Sequence, residues 1–377
     1  PFCRKICTYC AFNTYAGMDD QIDAFVDALA AEVRSLRRDQ PRQRAKTIFF
    51  GGGTPSMLSE AQYETLFDAI RDSFDLLPDA EITLEANPND LSADYLRGLR
   101  RVGFNRLSIG MQSANANELA LFERQHDMRM VVDAMEHARA TGFDNISLDL
   151  IFGNPHQTLA DWDHTLSQAL ALQPEHVSLY NLELKGDTQL TQWVDEGIQP
   201  RPDDDLAADM YELATERLNA AGLRQYEISN WSRHGRESEH NLQYWRNLPY
   251  LGLGPGAHGF AGGLRYTVVS FPMRYIAAMQ QETGKTLDYP RTPATAKALR
   301  VDRDTEMADT IMMGLRMTRE GIQREAFRQR FGVDLVERQP EAIKKHVGYG
   351  LLYVDDGVVR LTDEGRFLSN AVIRDLI

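Results

Sequence analysis

Apolar and polar positions alternate in two different periods along the first half of the chain. Residues 21 to 38, QIDAFVDALAAEVRSLRR, put Ile22, Phe25, Val26, Leu29 and Val33 at the three-and-four spacing of an amphipathic helix. A short apolar run, TIFF at 47 to 50, follows and ends in Gly51. LSEAQYETLFDAIRDSF then reads as a helix with Ser59 as its N-cap, ahead of the strand candidate EITLEA at 81 to 86. The cycle repeats. LSADYLRGLRRVG precedes RLSIGMQS at 106 to 113, MVVDAMEHARATG precedes ISLDLIFG at 146 to 153, and LADWDHTLSQALAL precedes HVSLYNLEL at 176 to 184. Strands alternating with helices predict βα units on a parallel sheet. Five strands are visible in this pattern. A sixth is expected from a segment ahead of Pro1, where the chain starts without a methionine.

Each expected strand ends in glycine or polar residues: Gly51 to Thr54, Glu85, Gln112, Asp149, and Asn181 with Glu183. One such residue marks only where a strand meets water. A series of them, all at carboxyl ends, is where a parallel α/β barrel carries its site.

The rhythm breaks near residue 185. GDTQLTQWVDEGIQPRPDDD reads as an excursion, and DLAADMYELATERLNAAG is a helix leading to YEISNWS. Residues 235 to 265 are rich in glycine and aromatics. Helices are expected near 304 to 317, 323 to 330 and 339 to 350, then a hairpin turning at Asp356-Gly357 and a last helix. That order is winged-helix-like. The reading is therefore α/β: a partial barrel over 1–184, a connecting region over 185–299, and a C-terminal winged-helix-like α+β domain over 300–377.

Composition narrows the function. A formal charge of -14, from 41 basic and 55 acidic residues, lacks the electrostatic footprint of a nucleic-acid binder. Basic and acidic residues are in near balance in the C-terminal unit, which reads as a structural or docking module. No apolar run approaches the roughly 20 residues that span a bilayer, and no signal peptide is visible. A cytoplasmic protein is expected.

The 3 cysteines of the chain, Cys3, Cys7 and Cys10, all lie in PFCRKICTYCAF. An odd cluster argues against a disulfide framework. A structural zinc site wants four ligands, and distant histidines completing it would not explain a three-then-two spacing. An iron-sulfur cube held by three thiolates leaves one iron open to an exchangeable ligand.

CRKICTYC resembles the CxxxCxxC loop of the radical S-adenosylmethionine (SAM) family, in which SAM chelates the open iron of a [4Fe-4S] cluster and an electron from the cluster cleaves it to a 5'-deoxyadenosyl radical. Tyr9, the aromatic residue before the last cysteine, is typical of that loop. The resemblance implies a partial (β/α)6 barrel. It further implies that GGGTPS, with Gly52, Gly53 and Thr54, lies against the methionine part of SAM. Porphyrin-related members hold SAM at positions matching Glu85, Gln112, Arg124 and Asp149. There Glu85 and Asp149 would accept hydrogen bonds from SAM, and Arg124 would form a forked pair with its carboxylate.

HNLQYW, His240 to Trp245, followed by GLGPGAHGF, resembles the HNxxYW motif of HemW-type heme chaperones. Their relatives, the oxygen-independent coproporphyrinogen III dehydrogenases, carry a fourth cysteine two residues after the third, where this chain has Phe12. The resemblance thus implies heme as a ligand, with His240 as its axial ligand and Tyr244 and Trp245 as an apolar plane, against a plainer role for all three in packing a domain junction. It implies delivery of heme to apo-hemoproteins, including respiratory enzymes, with the cluster and SAM tuning conformation or homodimerisation. The alternative is the dehydrogenase itself, which decarboxylates coproporphyrinogen III to protoporphyrinogen IX. Gly254, Gly256 and Gly259 satisfy GxGxxG, but FAGGLRYTVVS after them reads as extended, so no Rossmann turn is expected.

Overall fold

The computed structural model describes residues 1–37, 42–281 and 287–377. Position 38 of the first expected helix lies outside the described residues. Five βα units follow in order. Helix α1 (Ile22–Ser35) leads to strand β1 (Gln43–Phe50), α2 (Glu60–Ser73) to β2 (Phe74–Ala86), α3 (Ala93–Val102) to β3 (Arg106–Gln112), α4 (Met128–Ala140) to β4 (Ile146–Phe152), and α5 (Leu159–Ala171) to β5 (His176–Asn181). The five strands are parallel and adjacent in chain order. Ser59 caps α2 in a capping box: its Oγ accepts from the Gln62 amide, and the Gln62 side chain accepts from the Ser59 amide.

Two features differ from the sequence pattern. Strand β2 begins at Phe74, which reads as the end of a helix, because Phe74 to Leu76 pair with Gln43 to Ala45 ahead of an irregularity in the ladder. The sheet also gains two further strands, β6 (Arg224–Glu227) and β7 (Asn230–Ser232), after helix α6 (Asp204–Ala220). Strand β7 runs antiparallel to β5, and β6 antiparallel to β7, making a seven-stranded sheet.

The sheet has two unlike faces because strand side chains alternate. One face carries Ile48, Phe50, Ile82, Leu84, Leu107, Ile109, Leu148, Leu150, Val177 and Leu179, which join the helices in the main apolar core. The other face carries Thr47, Phe49, Glu81, Thr83, Glu85, Arg106, Ser108, Ser147, Asp149, His176 and Ser178. This polar face is covered in part by helix α7 (Glu239–Trp245), the HNLQYW segment.

GxGxxG leads into a strand, His258–Ala261, which forms an antiparallel hairpin with Leu264–Val268; Thr295–Arg300 completes this small sheet. No Rossmann turn is formed there. This layer is tied to α1 by Glu32, fully buried, whose carboxylate accepts from the Gly254 amide, the Tyr275 hydroxyl and the Thr292 hydroxyl, each at 2.8 Å. The C-terminal unit has its own core. Its order is helix Arg303–Gly314, strand Ile322–Gln323, helices Arg324–Phe331 and Pro340–Gly348, and a hairpin of Leu352–Val354 with Val358–Leu361, which is winged-helix order. The hairpin turn is held by Asp355, whose carboxylate accepts from the amides of Gly357 and Val358.

Candidate cofactor site at the carboxyl ends of the strands

The cysteine loop is fixed from four sides. Phe2 and Cys3 pair with Tyr15 and Ala16, closing the loop at its base. Thr54, at the end of β1, donates its amide to the Phe2 carbonyl at 2.8 Å and its hydroxyl to Cys3 Sγ at 3.3 Å. Thr8 donates its hydroxyl to the Leu121 carbonyl, and the Tyr9 ring packs edge-on against Phe122 at 4.8 Å. From the excursion after β5, the Leu190 amide donates to the Thr8 carbonyl at 2.9 Å. Leu190, Leu182, Ile151 and Phe122 form the apolar cluster on which Tyr9 rests. The excursion's part in holding the loop has no local signal in the sequence, since it depends on contacts across more than a hundred residues.

Among the described residues, no three His, Cys, Asp or Glu side chains converge as ligands of one ion do. The thiols nevertheless act on one another: burial pushes the Cys3 and Cys10 thiols up, and neighbouring thiols add to that rise in both. Three thiols supplied by one short loop are the donor set of a polynuclear group whose irons take one thiolate each. A cation seated among them reverses the local cost of ionising a thiol.

Around the loop stand the strand-end residues. Arg124 donates from Nη1 to Cys7 Sγ at 3.5 Å, and from Nη2 to Asn87 Oδ1 at 2.6 Å and the Gly110 carbonyl at 3.0 Å. Its Nε is buried without a partner. A buried guanidinium edge with an unused donor is a seat for an anionic group. Asn87 orients this arginine and lines the same cleft with Arg4, Cys7 and Thr54; it is a site residue the sequence reading missed, although it follows the glutamate in TLEANP. Gln112 closes β3 in the left-handed region, at φ 64°.

Glu85 and Asp149 sit in the same desolvated interior. Burial first and Asp149 second push Glu85 up to about 7, while the Gly52 amide, donating to Glu85 Oε2 at 3.1 Å, works the other way. Asp149 is also pushed up by burial, against the Ser108 hydroxyl at 2.9 and 3.0 Å from its two oxygens. Two carboxylates held above their ordinary values in one wall are acceptors that hydrogen-bond donors from a ligand could meet. The glycines fit around them. A side chain at Gly51 would meet Glu85 Oε2 at 2.8 Å, and one at Gly53 would meet the Phe2 carbonyl at 2.7 Å; Gly52, at φ 116°, leaves open space beside it.

Helix α7 lies on the same inner face, deeper in the barrel. Its first amides are capped by Glu81, which accepts from the amides of Glu239 and His240 at 3.0 Å each. The His240 ring stacks on Phe49 at 5.1 Å, with Nδ1 2.8 Å from Thr47 Oγ1 and Nε2 2.7 Å from the Tyr244 hydroxyl. Burial, with Arg106 adding to it, holds the imidazole down to about 4, so it is neutral near pH 7. Tyr244 points into the barrel and packs edge-on with Tyr250. Trp245 goes elsewhere: it packs against a cluster of Tyr226, Leu242 and Met317 that joins the barrel to the C-terminal unit. The three motif residues therefore do not form one plane.

A three-cysteine loop at the carboxyl edge of a parallel partial barrel is the arrangement of a radical SAM protein, and the chain matches the Radical SAM superfamily over residues 1–169 and the HemN C-terminal domain over residues 301–368. It is 38% identical to the heme chaperone HemW of Bacillus subtilis, covering 99% of this chain and 96% of that protein. It is 36% identical to the heme chaperone HemW of Mycobacterium tuberculosis, covering 100% and 93%. A zebrafish relative, the mitochondrial radical S-adenosyl methionine domain-containing protein 1, is 32% identical over 100% of this chain and 85% of its own. The chain belongs to the HemW family of radical SAM proteins. Among solved structures, coproporphyrinogen III oxidase (HemN) from Escherichia coli shares the fold, with a TM-score of 0.83 at 24% identity over 100% of this chain and 88% of that one. Membership of the radical SAM superfamily brings a [4Fe-4S] cluster and SAM as cofactors. No helix among the described residues is long and apolar enough to cross a membrane.

Proposed function

We propose that this chain is a cytoplasmic heme chaperone, which binds heme and delivers it to apo-hemoproteins, respiratory enzymes among them. Its units are a radical SAM barrel over 1–184, a connecting region over 185–299 that bears the heme motif, and a C-terminal docking module over 300–377. The observation that carries the reading is relatedness along the whole chain to the Bacillus subtilis heme chaperone, in a chain that has Phe12, 71% exposed, where the dehydrogenases have a fourth cysteine.

In this reading Cys3, Cys7 and Cys10 hold the [4Fe-4S] cluster, which supplies an exchangeable iron and a one-electron couple. Tyr9 braces the loop on Phe122, and Thr54 donates to a cluster thiolate. Arg124 offers its unpartnered Nε edge to the SAM carboxylate, while Gly52, Gly53 and Gln112 line the approach. Glu85 and Asp149 accept hydrogen bonds from SAM hydroxyl or amino groups, which also relieves their desolvation. His240 supplies the axial nitrogen for heme.

The test is anaerobic: the reconstituted protein is titrated with heme and assayed for transfer to an apo-hemoprotein, beside an incubation with SAM, reductant and coproporphyrinogen. Heme transfer without protoporphyrinogen is the expected result; protoporphyrinogen formation would move the chain to the dehydrogenases.

A further inference from the structure

The bonding of His240 poses a problem for any metal ligand. An imidazole binds iron through a ring nitrogen lone pair, and here both ring nitrogens are engaged, with Thr47 Oγ1 at 2.8 Å and the Tyr244 hydroxyl at 2.7 Å. A neutral imidazole has one N–H and one lone pair. A phenol is a stronger hydrogen-bond donor than an aliphatic hydroxyl, so Tyr244 donates to Nε2 and the Nδ1 proton goes to Thr47. The two bonds then have opposite meanings. The Nδ1–H bond to Thr47 is the outer contact that orients a metal-binding histidine and makes its other nitrogen more basic. The bond from Tyr244 occupies the lone pair that iron would need.

We infer that Tyr244 is a latch on His240: its hydroxyl competes with heme iron for Nε2, while Thr47 and Glu81 position the histidine for ligation. The inference rests on His240 being the heme ligand, as proposed above. Three features of the site support it. The latch residue is one helical turn after the histidine on α7, so the two side chains lie on one face of the helix. The ring is stacked on Phe49, which limits its rotation. The helix start is anchored by Glu81 through two amides, so ligation displaces a side-chain bond and leaves the helix in place. The hydroxyl of Tyr244 has no other protein partner among the hydrogen bonds of the described residues, whereas its ring remains packed on Tyr250. Tyr244→Phe therefore removes the latch and leaves the packing.

This reverses the ordinary expectation for an aromatic residue in a heme motif. Heme titration of the cluster-reconstituted full chain, followed by the Soret band, should give an affinity about threefold to tenfold tighter for Tyr244→Phe than for the native protein, the worth of one net hydrogen bond. Thr47→Val should weaken heme by about tenfold through loss of the orienting contact. Nitrogen-15 spectra of the heme-free protein give a readout independent of heme, and the proton on His240 should sit on Nδ1. If Tyr244→Phe binds heme no more tightly while His240→Ala loses it, the latch is wrong and the ligand stands. If His240→Ala keeps full heme affinity with an unchanged Soret band, the ligand assignment fails and the latch with it. A proton found on Nε2 in the heme-free protein also overturns the latch, since the tyrosine would then be an acceptor.

Discussion

The two faces of the parallel sheet are built from the same five strands and do opposite work. The helix-facing side is apolar throughout, with Leu84, Leu107, Ile109, Leu148 and Val177 fully buried. The inner side is lined with carboxylates, hydroxyls, an arginine and a histidine. Parallel sheets covered on both sides usually read as continuous apolar runs; here only every second residue does. The outer face supplies the burial that holds the barrel together, and the inner face uses that rigidity to keep polar groups dry and incompletely paired, which makes them available to a ligand.

The contrast can be broken by mutation in either direction. The largest effect is expected on the outer face: Leu107→Ala should lower unfolding free energy by about 2–5 kcal/mol in denaturant titrations, through lost burial and the cavity left behind. Its inner-face counterpart is Asp149→Asn, which keeps the shape of the side chain, removes its charge and leaves one oxygen to accept from Ser108. That change should weaken SAM by about tenfold in equilibrium binding while leaving the unfolding midpoint unchanged or raised. Agreement of both results would separate the faces; a large loss of stability in Asp149→Asn would merge them.

Titration sharpens the comparison further. Glu85 and Glu227 are each pushed up to about 7, with burial the first cause in both, so the folded state retains protons that the unfolded chain loses at the ordinary carboxylate value. The stability they lend is complete below that ordinary value and disappears as pH rises to about 7. Urea unfolding of the SAM-free protein from pH 5 to 7.5 should show this decline, and Glu85→Gln should flatten part of it. The smallest effect is back among the helices: Ser59→Ala breaks the capping box and should cost about 0.5–2 kcal/mol, without touching SAM or heme binding.

Much of this arrangement was legible in the sequence because alternation and helical spacing are local signals. TIFF, EITLEA, RLSIGMQS, ISLDLIFG and HVSLYN each mark a strand, and Thr54, just past the first of them, meets Cys3 of the cysteine loop. Ser59 was legible as a cap from its position alone. What was not legible depends on distant partners. Phe74 joins a strand only because Gln43 offers it an edge, and β7 joins the sheet only by meeting β5, with β6 paired to β7 in turn. Asn87 acquires a role through Arg124, and Leu190 through Thr8. Trp245, adjacent to Tyr244 in the motif, turns to Met317 of the C-terminal unit, a separation that the six-residue motif does not reveal.

Glu32 bears on how the protein is made. Its three partners follow it by 222 to 260 residues, so when α1 leaves the ribosome its inward-facing acid has nothing to bind. In the nascent chain that flank of α1 stays uncovered until Thr292 emerges. Synthesis therefore passes through a long interval in which this acid lacks the partners that bury it in the finished protein.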